Sequence, residues 1–171
     1  MSTTLVFTAG RRVWRVRALL WLSMVAAAAS VYWGLDLYRT YGLRPADGGV
    51  LASHGVRLAW LVVASLFGLA CAAGMWVYSR VYVAALWLDE AAGQVAIQTA
   101  GGWRGSRTVL PLTNVRRSTY HDGGFWTPTH SVRAPWHTMR VEGGSWPFVV
   151  DAQGTTVNPV LLKRVLSGGR R

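Results

Sequence analysis

Residues 18–38 read ALLWLSMVAAAASVYWGLDLY, and residues 58–78 read LAWLVVASLFGLACAAGMWVY. The first run holds one charge, Asp36, near its end; the second holds none. About 20 apolar residues at 1.5 Å rise cross the roughly 30 Å hydrocarbon core of a bilayer, so each run has the length of a transmembrane helix. Arginines bracket both runs: Arg15 and Arg17 precede the first and Arg39 follows it, while Arg57 precedes the second and Arg80 follows it. Aromatic residues gather at the same depths. Trp14 and Trp21 mark the start of the first run, and Tyr32, Trp33, Tyr38 and Tyr41 its end; Trp60 opens the second, and Trp76, Tyr78 and Tyr82 close it. A ring with one wet and one dry side settles at a membrane interface. The expectation is a transmembrane hairpin: a basic N-terminal segment 1–17, helix 18–38, a connecting loop 39–57 and helix 58–78.

Composition agrees. The 171 residues carry 18 Lys+Arg against 7 Asp+Glu, a formal net charge of +11, yet 51% are apolar and only 15% charged. The apolar content excludes a disordered basic tail, and a soluble globular domain usually holds about 25% charged residues. The length fits one domain with an appendage. A single cysteine, Cys71, excludes an internal disulfide framework and any CxxC motif. A hairpin puts both termini on one side, with Arg11, Arg12, Arg15, Arg17 and Arg80 near the membrane; the connecting loop has Arg39, Arg44 and Arg57, offset by Asp47. That bias favours termini inside, in the cytoplasm of a bacterium or the matrix of a mitochondrion. Residues 1–35 contain no acid, four arginines and several Ser and Thr, loosely matching a mitochondrial import signal.

Small residues recur at helical spacing in both runs: Ser23, Ala27, Ser30 and Gly34, then Ala64, Gly68 and Ala72, with Ala70 and Gly74 beside them. Such faces let backbones approach closely, which is what drives helix association in lipid. They are expected to pack the two helices on each other, and one face is a candidate dock for a larger membrane complex.

Residues 84–171 have the length of a small membrane-external domain. Ala84–Asp89, Gln94–Thr99 and Arg107–Leu112 read as strands, with Pro111 implying an edge or bulge. Residues 114–120 are a candidate fourth strand, and residues 121–136 read as a long loop. His137–Glu142 and Trp146–Asp151 flank Gly143-Gly144-Ser145 as a closing hairpin. A short helix ends the chain: Asn158 fits the N-cap, Pro159 the first helical position, and Gly168 and Gly169 the stop. The fold class expected is a two-helix transmembrane hairpin followed by a small antiparallel β-rich domain with a C-terminal helix, for which a pleckstrin-homology-like sandwich is one architecture.

No motif carries chemistry. His54, His121, His130 and His137 lie in loops or at a strand start, and His130 and His137 lack a third ligand pattern for zinc. Asp89, Glu90, Asp122, Glu142 and Asp151 form no acid/base pair, no GxSxG or Cys/His pairing marks a nucleophile, and Gly101-Gly102-Trp103-Arg104-Gly105 is neither a P-loop nor a dinucleotide fingerprint. Asp36 fits a residue that snorkels to the interface or pairs with Arg39. The reading is a protein that is not an enzyme and uses no cofactor or metal. From Arg80 onward 11 basic residues face 5 acidic ones. Arg116, Arg117, Lys163 and Arg164, with Arg11, Arg12, Arg15 and Arg80 near the membrane, are the candidate contacts to anionic lipid headgroups or a partner. No RNA-binding signature stands in the sequence, and DNA is not an expected partner.

Two stretches carry a resemblance: Thr108-Val109-Leu110-Pro111-Leu112-Thr113-Asn114-Val115, and residues 147–158, PFVVDAQGTTVN. The chain resembles the mitochondrial transmembrane protein 223 family, similar in plan to the transmembrane protein 70 and 186 families. Pro111, Leu112 and Val115 match its Pro-Leu-x-x-Val strand. Asp151, Gly154 and Asn158 match its Asp-x-x-Gly and helix-opening Asn, and Leu5-Val6-Phe7 ahead of a basic stretch is similar too. Residues 120–136 are longer than the family pattern. The resemblance implies an inner-membrane protein with its tail in the matrix, acting in cytochrome c oxidase biogenesis near the mitochondrial ribosome, and it transfers no active site.

The expected function is therefore that of a non-catalytic respiratory-chain assembly factor or accessory subunit, in contact with membrane lipids and a larger membrane complex. A permanent structural subunit is the second reading, with Trp126 and Trp136 as interface aromatics. A bacterial two-span protein with a lipid-binding module is the third.

Overall fold

The computed structural model describes residues 3–43, 48–101, 105–126 and 131–169. Arg44 and Asp47 of the connecting loop, Trp103 and Arg104 of the glycine-rich loop, His130, Arg170, Arg171 and the Trp126 side chain lie outside the described residues.

Two long helices, α1 (Arg12–Thr40) and α2 (His54–Val81), contain the two apolar runs and extend them by one to two turns into the flanking arginines. Both are long and apolar enough to cross a membrane. The chain divides into two units: residues 18–77 form one, and residues 1–17 with 78–171 form the other.

In the helical unit, the small residues make the contact. A Cβ on Gly68 would stand 2.6 Å from Ser30 Cβ and 3.0 Å from Ala27 Cα, and one on Gly34 would stand 3.2 Å from the Leu61 carbonyl oxygen. The Ser30 hydroxyl donates to the Ala64 carbonyl at 2.8 Å. Near the connection, Arg57 donates to the Tyr38 carbonyl at 3.0 Å and lies 5.1 Å from the Tyr38 ring centroid. Tyr38 in turn meets His54 Nδ1 at 3.2 Å. Gly34, Ala64 and Gly68 thus lie in the α1–α2 contact. Ala72 is half-buried, and Gly74 lies away from it, since a Cβ there meets nothing within 4 Å. Replacing Gly68 by Ile is expected to weaken this packing by about 1–3 kcal/mol, read as easier thermal loss of helical circular dichroism in detergent.

The second unit is antiparallel. Its largest sheet runs β10–β1–β2–β3–β4, built from β1 (Thr4–Thr8), β2 (Val83–Asp89), β3 (Gln94–Thr99), β4 (Arg107–Pro111) and β10 (Thr155–Thr156). A second sheet orders β5 (Thr119–His121), β8 (Trp136–Met139) and β9 (Phe148–Asp151), and a third pairs β6 (Gly124–Trp126) with β7 (Ser131–Arg133). A parallel bridge from Tyr82 to Val149 joins β2's entry to β9. The helix α3 (Pro159–Leu166) ends the unit. Val6, Phe7, Leu86, Ile97, Met139, Val150 and Val165 are buried together in its core.

Pro111 stands on an edge strand, as proline requires. The closing hairpin is present with shorter strands, in the register Met139 to Phe148. The candidate fourth strand at 114–120 is reduced. A 3-10 turn occupies Leu112–Asn114, Val115 makes an isolated bridge to Val141, and strand pairing begins only at Thr119. Two expectations are corrected. The loop expected at 121–136 contains β6 and β7, a hairpin pairing Phe125 with Val132. Residues 4–8 are not merely a lead-in to the first helix: β1 lies between β10 and β2. A register shift at Val6 makes that residue the extra one of a β-bulge, and Gly10 at φ +55° turns β1 into α1 within a few residues.

Candidate functional site

Asp151 ends β9, and three donors converge on it. Arg12, in the first turn of α1, donates from a guanidinium nitrogen to Oδ2 at 2.7 Å, and the Tyr82 hydroxyl donates to the same oxygen at 3.2 Å. The Gln153 backbone N–H donates to Oδ1 at 2.8 Å. Arg17 adds a second tie from α1, its Nε donating to the Ala100 carbonyl at 3.2 Å. Burial, then the Asp151 carboxylate, push the Tyr82 hydroxyl well above its usual pKa of 10.0. Tyr82 therefore stays protonated in the folded protein at a pH where the unfolded chain ionises. Its contribution is whole below pH 10 and is lost as pH rises beyond it, because the unfolded state then binds fewer protons. The thermal midpoint of the unit is expected to fall above pH 10, and Tyr82→Phe to flatten that alkaline limb.

The residues around this carboxylate have structural duties. A Cβ on Gly154 would stand 2.5 Å from the Phe7 ring, so the glycine makes room for β1. Asn158 Oδ1 accepts from the Leu161 N–H at 3.1 Å and caps α3. Leu112 and Val115 are buried in the core.

The second feature is an open groove of about 360 Å3 along α3. Pro159, Leu162, Lys163, Leu166 and Ser167 line one side. Their spacing of i, i+3, i+4, i+7 and i+8 is one helical face. Arg117 and Ser118, ahead of β5, with His137 of β8 and Thr156 of β10, line the rest. The Ser118 N–H donates to the Leu166 carbonyl at 2.8 Å and fixes α3 against that segment. Burial, then the neighbouring His121, hold the His137 imidazole below its usual pKa of 6.5. Its Nδ1 is buried without a hydrogen-bond partner among the described residues.

The basic residues singled out from sequence separate into groups. Arg117 and Lys163 both line the groove. Their chain neighbours turn elsewhere: Arg116 to Glu142 at 3.5 Å, and Arg164 to Glu90 at 2.7 Å. Arg12 is held by Asp151, its side chain 36% exposed and the carboxylate's side chain 17%. Arg11, Arg15 and Arg80 are exposed. Sequence reasoning missed His137 and Thr156 as groove residues, since they come from strands far apart in the chain; the face of α3 was the one local signal available. Among the described residues no group of three His, Cys, Asp or Glu side chains stands where it could hold a metal ion.

Comparison with individual curated proteins gives no match. A family model covers both long helices and the β-rich unit, from residue 3 to residue 167. The motif residues Pro111, Leu112, Val115, Asp151, Gly154 and Asn158 all lie inside that match. On this extent of agreement, the chain belongs to the TMEM70/TMEM186/TMEM223 protein family.

Proposed function

We propose that this chain is a two-span protein of the mitochondrial inner membrane with both termini in the matrix. In this reading it is a non-enzymatic assembly factor of the respiratory chain, acting in cytochrome c oxidase biogenesis. The family match over residues 3–167 carries the reading, because family membership fits an assembly-type role at a mitochondrial membrane. Membrane insertion is supported by the uncovered faces of α1 and α2. Leu22, Val25, Leu66 and Phe67 are each more than 60% exposed, and contiguous apolar surface on that scale is not left in water. The non-catalytic reading is supported by the motif residues themselves, which cap, make room for or tie down structural elements. Membrane lipids and a larger respiratory membrane complex are the proposed partners, and the mitochondrial ribosome is a further one.

Depleting the protein from mitochondria tests the role. The expected result is loss of mature cytochrome c oxidase with its subunit messages unchanged. Normal amounts of every respiratory complex would overturn it. Protease added to sealed mitoplasts is expected to leave the β-rich unit intact, and digestion there would overturn the orientation.

A further inference from the structure

The charges around the α3 groove are unevenly compensated. Arg116 and Arg164 are each paired with an acid, while Arg117 and Lys163, one residue away from them in the chain, face the groove with no acidic partner among the described residues. His137 adds a buried Nδ1 with no hydrogen-bond partner among the described residues, and a buried polar atom left unbonded costs free energy until something bonds it. Ser118 and Thr156 contribute hydroxyls, and Leu162 and Leu166 give the opposite wall an apolar surface.

A positive rim, hydroxyl groups and an apolar wall together fit an anionic headgroup with hydrocarbon attached. An inorganic anion would leave the leucine wall unused. Single-stranded nucleic acid would want aromatic stacking platforms, and among the described residues no Trp, Tyr or Phe lines the groove. Its volume of about 360 Å3 is at the small end of ordinary ligand sites, enough for a headgroup and the start of its chains.

We propose that this groove binds the headgroup phosphate of an anionic phospholipid. Arg117 and Lys163 supply the positive charge, Ser118 and Thr156 bond the glycerol oxygens, and Leu162 and Leu166 cover the first methylenes. The idea rests on the membrane reading above, since an inserted protein meets such lipid continuously. The groove would then hold the β-rich unit to the bilayer surface.

The test uses the purified full chain in neutral detergent, titrated with dioctanoyl phosphatidylglycerol and followed by calorimetry. Dioctanoyl phosphatidylcholine and inorganic phosphate are titrated beside it. Saturable binding of phosphatidylglycerol, at least tenfold tighter than either comparison ligand, is the expected result. Each basic residue near an anionic surface is worth about a fivefold change in binding, so the double variant Arg117→Gln/Lys163→Gln is expected to weaken binding on the order of 25-fold. Arg116→Gln/Arg164→Gln is expected to leave it within about twofold, since those cations are already paired. Arg116, Arg117 and Lys163 are exposed and Arg164 is half-buried, so unchanged thermal unfolding is required of both variants to show that the fold is kept. Equal affinity for phosphatidylcholine, equal affinity for inorganic phosphate, or no loss in the Arg117/Lys163 variant would each overturn the proposal. So would competitive displacement of the lipid by an acidic peptide binding more tightly, which would make the groove a protein site. Resistance of the wild-type chain to alkaline extraction from membranes is measured separately, so failure of the membrane reading is told apart from failure of the groove.

Discussion

Phe7→Ala is expected to be the most destabilising single change in the β-rich unit. Phe7 is 1% exposed, and Val6 beside it is fully buried. Their strand pairs on both sides, Phe7 with Leu86 of β2 and with Thr156 of β10. The ring fills the space that Gly154 leaves open. Truncating a buried Phe typically costs about 3–5 kcal/mol, against a total stability of about 5–15 kcal/mol for an ordinary domain. Urea unfolding of the full chain in detergent, followed by near-ultraviolet circular dichroism, is expected to show a lower midpoint, with the unfolding free energy reduced by that amount. Leu5→Ala, at a half-buried position of the same strand, should cost clearly less. If Phe7→Ala behaves like a surface change, β1 is not part of the core.

Asp151→Ala is expected to have the next largest effect. The substitution strands three donors at once: the Arg12 guanidinium, the Tyr82 hydroxyl and the Gln153 N–H. Exposed ion pairs contribute about 0–1 kcal/mol, while breaking a fully buried pair costs about 3–5 kcal/mol. Arg12 is partly exposed and Asp151 mostly covered, which places the loss at about 2–3 kcal/mol by interpolation between those limits. Arg12→Ala should cost less, because Asp151 keeps two of its donors. Tyr82→Phe should cost about 1 kcal/mol, the usual net value of one hydrogen bond. A thermodynamic cycle over Arg12 and Asp151 measures the pair directly. Coupling near zero would mean that the 2.7 Å contact ties α1 to β9 in geometry only.

The long helices were legible because an apolar run is a property of consecutive residues, and so was α3, whose Asn158, Pro159 and Gly168 are local signals. The strand β1 was not. Its five residues, TLVFT, show no clean alternation, since the bulge at Val6 buries two neighbours in succession. Its partner Leu86 lies beyond both long helices. The β6–β7 hairpin escaped for a similar reason: each strand has three residues, too few for a period to register. For the groove, the clusters Arg116-Arg117 and Lys163-Arg164 were visible in the sequence. That Arg116 and Arg164 are paired, with Glu142 and Glu90, is a matter of contacts distant in the chain and set by folding. The tie between Arg12 and Asp151 was illegible on the same ground. A basic residue ahead of an apolar run carries no local sign of Asp151, 139 residues further along the chain and 2.7 Å away in the fold.

The most direct test of the central claim is a blue-native gel of digitonin-solubilised mitochondria, with this chain quantified by mass spectrometry in every band. Comigration with immature cytochrome c oxidase intermediates, at amounts well below those of the mature enzyme, is the expected result. Stoichiometric comigration with a mature respiratory complex would contradict the assembly-factor reading and make the chain a permanent subunit. Migration apart from every respiratory species would contradict both.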